Sequence, residues 1–431
     1  MKIIADLHFH SRFSRAVSSQ MTIPVISQWA VKKGIGLVTS ADWTHPLWFR
    51  ELQASLEEAG EGVYKAKNTS SPLFLLSTEI SSIYSQGGRT RKIHNLVFAP
   101  SFETVAKINK ELNTRGANLF SDGRPIVGLS ARAVAEIVLK TDPRCLIIPC
   151  HAWTPHFSVF GSVSGFDLLS ECFGDMAKFI YAVETGLSSD PAMNWRIEEL
   201  KAKSIVSFSD AHSPQKLGRE ATVFELPEIS YENIRKAIIQ QKILYTIEFY
   251  PEEGKYHYTG HRNCGVVYSP NEIRKLGTIC PVCGKQLTVG VMSRVEHLAS
   301  VDIETKSEID SFGVRWIKDK EDKRPSYVML VPLLEIIAES LGMGPSSQKV
   351  QTTYGLLISS LGSEFKILLQ TGIEEIRKVV GPRVAEGISK VRKGDIVIEP
   401  GYDGVFGKVK IWPSDAKAME SKVGIDQKTL F

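Results

Sequence analysis

The apolar run Ile3-Ile4-Ala5 leads straight into Asp6-Leu7-His8-Phe9-His10-Ser11. An extended segment sends side chains two apart to the same face. A strand that ends here therefore aims His8 and His10 in one direction, where both imidazoles can meet one metal ion. A lone His-x-His also occurs on solvated surfaces, so what it implies depends on the residues downstream.

The chain has 431 residues, a length that suggests two or three domains. With 43% hydrophobic and 23% charged residues it is expected to bury a sizeable core. No apolar run reaches the ~20 residues needed to span a bilayer, so no membrane association is expected. Met1 opens directly into a strand with no leader pattern, so a cytoplasmic location is expected. Cys145, Cys150 and Cys172 are scattered through apolar sequence, as inert buried thiols are, whereas Cys264, Cys280 and Cys283 cluster. A formal net charge of +4 is too small to imply nucleic acid by itself; only a local charge can do so.

Through residues 1–250, strand-like runs alternate with helical patterns, the signature of βα units around parallel strands. Helices are predicted over 23–33, 102–112 and 131–140. Strand-like runs deliver His8 and His10, then Asp42 with His45 close behind, Glu79, His151, Glu184, and Asp210 with His212 to their C-terminal ends. A further short run carries His94. Loops at that end of a βα barrel surround one shared mouth, where its chemistry is built. Imidazoles and carboxylates without thiolates suit Zn²⁺, Mn²⁺ or Fe²⁺, and a bridging carboxylate suits a multinuclear cluster that polarises phosphoryl oxygens. In the loop after His151, the side chains Trp153, His156 and Phe157 are open to two readings, a base-stacking pocket or packing on the barrel rim.

On these motifs, DLHFHS, Glu79, His94, the His151 strand end and SDAHS, the chain resembles the PHP family (polymerase and histidinol phosphatase). The resemblance implies a distorted (β/α)7 barrel carrying a trinuclear metal site that hydrolyses phosphoesters. It implies catalytic roles for His8, His10, Glu79, Asp210 and His212, with Glu79 as the bridging carboxylate and His94 and His151 as further ligands. Two positions depart from the family pattern. Asp42-Trp43 stands where the family often has Asp-His, so Asp42 or His45 is expected to serve there. Ser14 and Arg15 occupy the region of a third N-terminal histidine, and Glu184 is a further candidate ligand.

A second metal motif follows, in a module expected over 251–299. His261-x-x-Cys264 is separated by fifteen residues from Cys280-Pro281-Val282-Cys283-Gly284. The matched spacing of the two halves predicts a closed structural zinc site with Cys₃His ligation.

Residues 300–412 read as a mainly helical domain, with helices over 328–342, 355–361 and 364–370. Two short helices then meet at Gly381-Pro382, as in a helix-hairpin-helix. Residues 366–393 carry Lys366, Arg377, Lys378, Arg383, Lys390, Arg392 and Lys393 against three acids, a footprint suited to DNA phosphates. Strands around a Pro400-Gly401-Tyr402-Asp403-Gly404 turn follow. In the tail, 413–431, Gln427 and Leu430 match the first half of a sliding-clamp-binding box.

The succession of barrel, HxxC…CPxCG and basic helical segment resembles a DNA-repair branch of the PHP family over essentially the whole chain. It implies damaged DNA as partner, nicked 5′ of deaminated bases (uracil, hypoxanthine, xanthine) or abasic sites. It also implies Zn²⁺ in the module and the barrel, with Mg²⁺ or Mn²⁺ for catalysis. Two other readings use the same residues: a phosphomonoesterase for a small ester, and a DNA-binding protein whose barrel is silent.

Overall fold

In the structure, a computed structural model describing residues 1–413, the first 250 residues build a distorted (β/α)7 barrel. Strands Lys2–Asp6, Leu37–Thr39 and Leu73–Gln86 run parallel, side by side. Leu73–Gln86 then turns back as Arg89–Ala99, which pairs antiparallel with Leu146–Pro149. The parallel pair Ala182–Glu184 and Ser204–Val206 follows, and Ala221–Glu225 returns antiparallel beside the first strand. Small and branched residues fill the interior, among them Ile3, Ala5, Leu37, Leu75, Leu96, Ile148, Ala182, Val206 and Phe224. Helix Tyr231–Ile239 packs its Tyr231, Ile234 and Ile238 into the same cluster.

The helix expected over 23–33 forms as Ile23–Lys33, with Pro24 in its first turn and left-handed Gly34 ending it. Two other elements differ from expectation. Glu79 lies inside a 14-residue strand rather than at a strand end, because cross-strand pairing with Arg89–Ala99 carries the strand past the mouth. Val328 belongs to strand Ser326–Met329, and the helix begins only at Leu333, after Pro332. That strand pairs in parallel with barrel strand Ile243–Glu248. Arg315–Asp319 and Thr305–Ile309 extend the same sheet outward, so residues 305–329 continue the barrel sheet where a helical domain was expected.

Beyond them lie helices Leu333–Leu341, Gln348–Leu361, Glu364–Leu369, Ile373–Val380 and Pro382–Lys393. They grip the barrel through a buried ion pair, Lys33 Nζ to Glu364, at 2.8 Å. The Glu364 carboxylate also accepts from Leu333 N (3.0 Å) and Tyr354 Oη (3.0 Å), so its charge is compensated on several sides. Arg392, expected to face DNA, is instead 1% exposed. Its guanidinium donates to the carbonyls of Leu368, Ile367, Thr371 and Phe312 at 2.5–2.9 Å. Those carbonyls lie at helix ends and turns with no intrahelical partner, which is why a charged side chain is drawn inward. Gln427 and Leu430 fall outside the described residues.

Beside the mouth, Glu248 is fully buried, its Oε1 accepting from Ser207 and Thr246 while its Oε2 has no hydrogen-bond partner. Burial pushes its carboxyl up from 4.5 to about 8. Between those values the folded chain holds a proton that the unfolded chain releases, so stability is full below about pH 4.5 and falls as pH rises toward 8. The slope is about 1.4 kcal/mol per pH unit. Thermal melts of Glu248→Gln should depend less on pH across that window and exceed wild type at its alkaline end. An unchanged pH profile would show that Glu248 is ionised in the fold.

Candidate metal centre

The mouth gathers its ligand atoms around one carboxylate. Glu79 is buried, and its two oxygens face different histidine pairs. Oε2 lies 3.2 Å from His10 Nε2 and 3.8 Å from His8 Nε2. Oε1 lies 2.6 Å from His94 Nδ1 and 3.2 Å from His151 Nε2. Asp210 Oδ1 completes the first side, at 3.2 Å from His10 Nε2 and 3.7 Å from His8 Nε2. Two groups of imidazoles and carboxylates result, His8/His10/Asp210 and Glu79/His94/His151, each compact enough to close on one ion, and the buried Cys150 thiol, expected to be remote from the site, lies as close to His8 and Glu79. A carboxylate between two such groups is the geometry of a bridging ligand.

A metal fits the polar atoms as they stand. His8 Nε2, His10 Nε2, His94 Nδ1 and Asp210 Oδ1 are buried and have no hydrogen-bond partner. Unpaired buried polar atoms are costly, and their convergence is what a cation would relieve. Burial opposes ionisation of Glu79, but the Arg124 guanidinium and the hydrogen bond from His151 outweigh it and hold the carboxyl well below its ordinary range. Burial likewise opposes charge on Asp210, and the His10 imidazole 3.2 Å away, together with His8, reverses it and holds the carboxyl below its ordinary range. Both carboxylates are therefore ready-made anions.

A further set of residues orients the donors. Glu184 takes the Nδ1 of His8 at 2.8 Å and the backbone N–H of His151 at 2.8 Å. Asp42 takes the Nδ1 of His10 at 3.1 Å, and also Ser11 N–H (2.6 Å), Ser11 Oγ (2.7 Å) and Ser14 Oγ (2.8 Å). Each carboxylate fixes a histidine tautomer that leaves Nε2 facing inward. Asp42 and Glu184, expected as ligands, thus stand one step behind them. His45 is also outside the donor groups: it precedes Pro46 at the start of helix Pro46–Ser55 and stacks on Phe13, with centroids 4.5 Å apart. His212 sits at the rim, its ring 4.9 Å from His10 and its Nδ1 donating to Asp210 O at 2.9 Å, which leaves Nε2 as an acceptor. Ala41, Asp42, His151 and Asp210 all have left-handed backbone, strain of the kind that clusters at functional sites.

Two residues given no role by the sequence reading also take part. Arg124, in the loop before the two-residue strand Ile126–Val127, brings Nη1 to 3.2 Å from Glu79 Oε2. Asp6 accepts from the amides of Ser209 (3.0 Å) and Gly218 (2.8 Å), tying the first strand end to the SDAHS loop. Arg124 lies at no ligand-motif spacing, whereas Asp6 belongs to the Asp6-x-His8-x-His10 stretch. The cluster opens into a cavity of about 590 Å³, lined by Arg124, His156, Phe157, the 254–257 segment and Phe406. Trp153, by contrast, is buried, packs on Phe160 and donates to Asn194 Oδ1 at 2.8 Å.

In the cysteine module, ligand atoms of His261, Cys264, Cys280 and Cys283 lie within 4.8 Å of one another. Gly265 and Gly284 follow the last ligand of each half with φ of 65° and 70°, so the two halves make matching turns. Helix Val291–Leu298 moors the module to the barrel: Arg294 donates to the carbonyls of Phe160 and Phe166 at 2.9 and 3.0 Å.

With this geometry in place, comparison with known proteins is informative. Residues 332–395 match the family model described as the MJ0043 C-terminal domain. The uncharacterized protein MJ0043 of Methanocaldococcus jannaschii is 34% identical over 284 residues, which are 64% of this chain. They are 33% of that protein, so the chain spans about a third of its relative's length. The crystal structure of the lesion-specific endonuclease PfuEndoQ from Pyrococcus furiosus is 31% identical, with a TM-score of 0.81 over 99% of this chain and 100% of that one. A structure of endonuclease Q in complex with a 27-mer duplex, an abasic lesion at its active site, is 32% identical with a TM-score of 0.80. That match covers 95% of this chain and 96% of the other.

If Asp42 orients His10 rather than binding metal, Asp42→Asn should weaken barrel metal affinity by roughly 10–100-fold. Stoichiometry at saturating metal, read by elemental analysis, should stay at the wild-type value. Loss of an ion at saturation would make Asp42 a direct ligand.

Proposed function

The chain belongs to the endonuclease Q family, and we propose that it nicks damaged DNA on the 5′ side of a deaminated base or an abasic site, using metals held at the barrel mouth. The observation that carries this reading is the Glu79 carboxylate, set among imidazoles and Asp210, with His94, His151, Asp210 and Arg124 facing a cavity of about 590 Å³. Divalent ions held by His8, His10, Asp210, Glu79, His94 and His151 would supply Lewis-acid polarisation of the phosphoryl group and an acidified water. Zn²⁺ suits the imidazole-rich groups and the Cys₃His module, and Mg²⁺ or Mn²⁺ suits the carboxylates.

The chain's own residues supply the rest. Arg124 lines the cavity beside Glu79 and offers its outer donors to a non-bridging phosphate oxygen. His212, whose imidazole burial holds below its ordinary pKa, is neutral and places a free Nε2 at the rim to take or return a proton. His94 is likewise kept neutral, since burial pulls it down to about 4, as a metal ligand must be. Selection of damage follows from the same cavity: extruding a nucleotide is cheapest where its pairing is already weak.

Duplex DNA carrying a single uracil or hypoxanthine, incubated with metal-loaded protein, should yield one discrete nick 5′ of the lesion. Phosphate release from a small ester without nicking would instead favour the phosphomonoesterase reading, and tight DNA binding without turnover a silent barrel.

The exposed cations of the C-terminal helices are assigned to the DNA backbone. Lys366, Lys378 and Lys393 are exposed, whereas Arg377, Arg383 and Lys390 each pair with a nearby acid. Replacing Lys366, Lys378 and Lys393 with Ala should weaken binding to damaged and intact duplexes alike. The slope of log affinity against log salt should flatten by roughly 0.9 for each phosphate that is no longer neutralised. Loss of lesion discrimination alone, with the slope unchanged, would place these lysines in a recognition pocket.

A further inference from the structure

Phe406 stands at the mouth of the catalytic cavity, on the loop joining strands Val397–Glu399 and Lys408–Lys410. It is 67% exposed, and its neighbour Val405 is 40% exposed. The loop that carries them is clamped. Gly401 N–H donates to Glu252 O (2.8 Å), Gly404 N–H to Lys255 O (2.8 Å) and Gly407 N–H to Glu253 O (3.0 Å). Tyr258 N–H donates back to Gly401 O at 2.9 Å. The Asp403 carboxylate accepts from Arg262 N–H (2.7 Å) and Thr288 Oγ1 (2.6 Å), which fastens the loop to the cysteine module as well. The backbones press together so closely that a Cβ on Gly407 would lie 2.1 Å from Glu252 O, and one on Gly401 2.5 Å from Gly254 O.

An immobilised loop therefore holds a phenyl ring in water, where burial would be favourable. The segment beneath it, 254–257, lines the same cavity as His94, His151 and Asp210. Lys255 Nζ lies 5.7 Å from the Phe406 ring centroid, and the exposed Arg262 lies along the side of the turn. An apolar tip between cations, beside a phosphoester-cleaving mouth, matches a nucleobase stack bounded by its phosphates. Apolar side chains that enter a base step unstack it, and an aromatic face replaces the lost stacking.

We propose that Phe406 is the wedge that enters the duplex where the damaged nucleotide leaves it, occupying the gap in the stack while the lesion turns into the cavity. This rests on the endonuclease reading, and its role is positioning rather than chemical.

The test uses metal-loaded full-length protein, wild type and the variants Phe406→Ala and Phe406→Trp, on two substrates with one uracil. In one the uracil is paired; in the other it lies in a short unpaired bubble that needs no wedge. Phe406→Ala should nick the paired substrate about tenfold more slowly, the scale of one missing base–aromatic stack, and the bubble at the wild-type rate. Phe406→Trp should restore the paired rate. A 2-aminopurine beside the uracil, read with Ca²⁺ in place of the catalytic metal, should brighten with wild type and not with Phe406→Ala. Unchanged cleavage of the paired substrate by Phe406→Ala, or equal slowing on both, would overturn the wedge. Failure of wild type to nick either substrate would overturn the endonuclease reading instead, and the fluorescence response alone would then decide whether Phe406 enters a duplex.

Discussion

Everything at the barrel mouth depends on a concentration of buried charge that protein atoms alone do not satisfy. Four imidazoles and two carboxylates converge, and the inward atoms of His8, His10, His94 and Asp210 lack hydrogen bonds, in an environment where each unpaired group is costly. Orientation from behind makes the arrangement possible. Glu184 and Asp42 hold His8 and His10 by Nδ1, and the serines around Asp42 hold Asp42 in turn. Left-handed backbone at Asp42, His151 and Asp210 aims side chains where relaxed strand ends would not. The stability lost to strain and desolvation here is offset in the apolar interior below, where aliphatic and aromatic side chains pack.

Buried charge also joins the barrel to the C-terminal helices. Lys33 and Glu364 meet 2.8 Å apart across the boundary between barrel and C-terminal helices, and Lys216 pairs with Glu335 nearby. The barrel sheet itself runs on through Ser326–Met329 and outward to Thr305–Ile309. The cysteine module is moored to that frame by Arg294, and the 400–407 loop is moored to the segment leading into the module.

Arg392 shows how local charge misleads when read along the chain. In sequence it belongs to a run with Lys390 and Lys393 and looks like part of a cationic face. On helix Pro382–Lys393 it points the opposite way, into carbonyls left open by the ends of neighbouring elements. Asp42, Glu184 and His45 show the counterpart for metal ligands. All three have a suitable side chain close to a strand end, but tertiary packing set two of them behind the histidines and stacked the third on Phe13.

What the sequence determined by itself was whatever short-range periodicity and spacing can specify. His8 and His10 share a face because strand side chains alternate, and Ile23–Lys33 begins and ends where its proline and glycine permit. His261/Cys264 and Cys280/Cys283 assemble because matched turns bring such pairs together. Tertiary structure decided which carboxylates face a metal and which face a histidine. It also carried Glu79 past the end of its neighbours, brought Arg124 beside it and set Phe406 at the mouth. Those outcomes depend on pairings between residues far apart in the chain, such as Glu79 with His151 or Gly407 with Glu253, whose distances no local pattern encodes. Alternation and turn chemistry act over a few residues; desolvation and packing act across the whole fold, and they settled the rest.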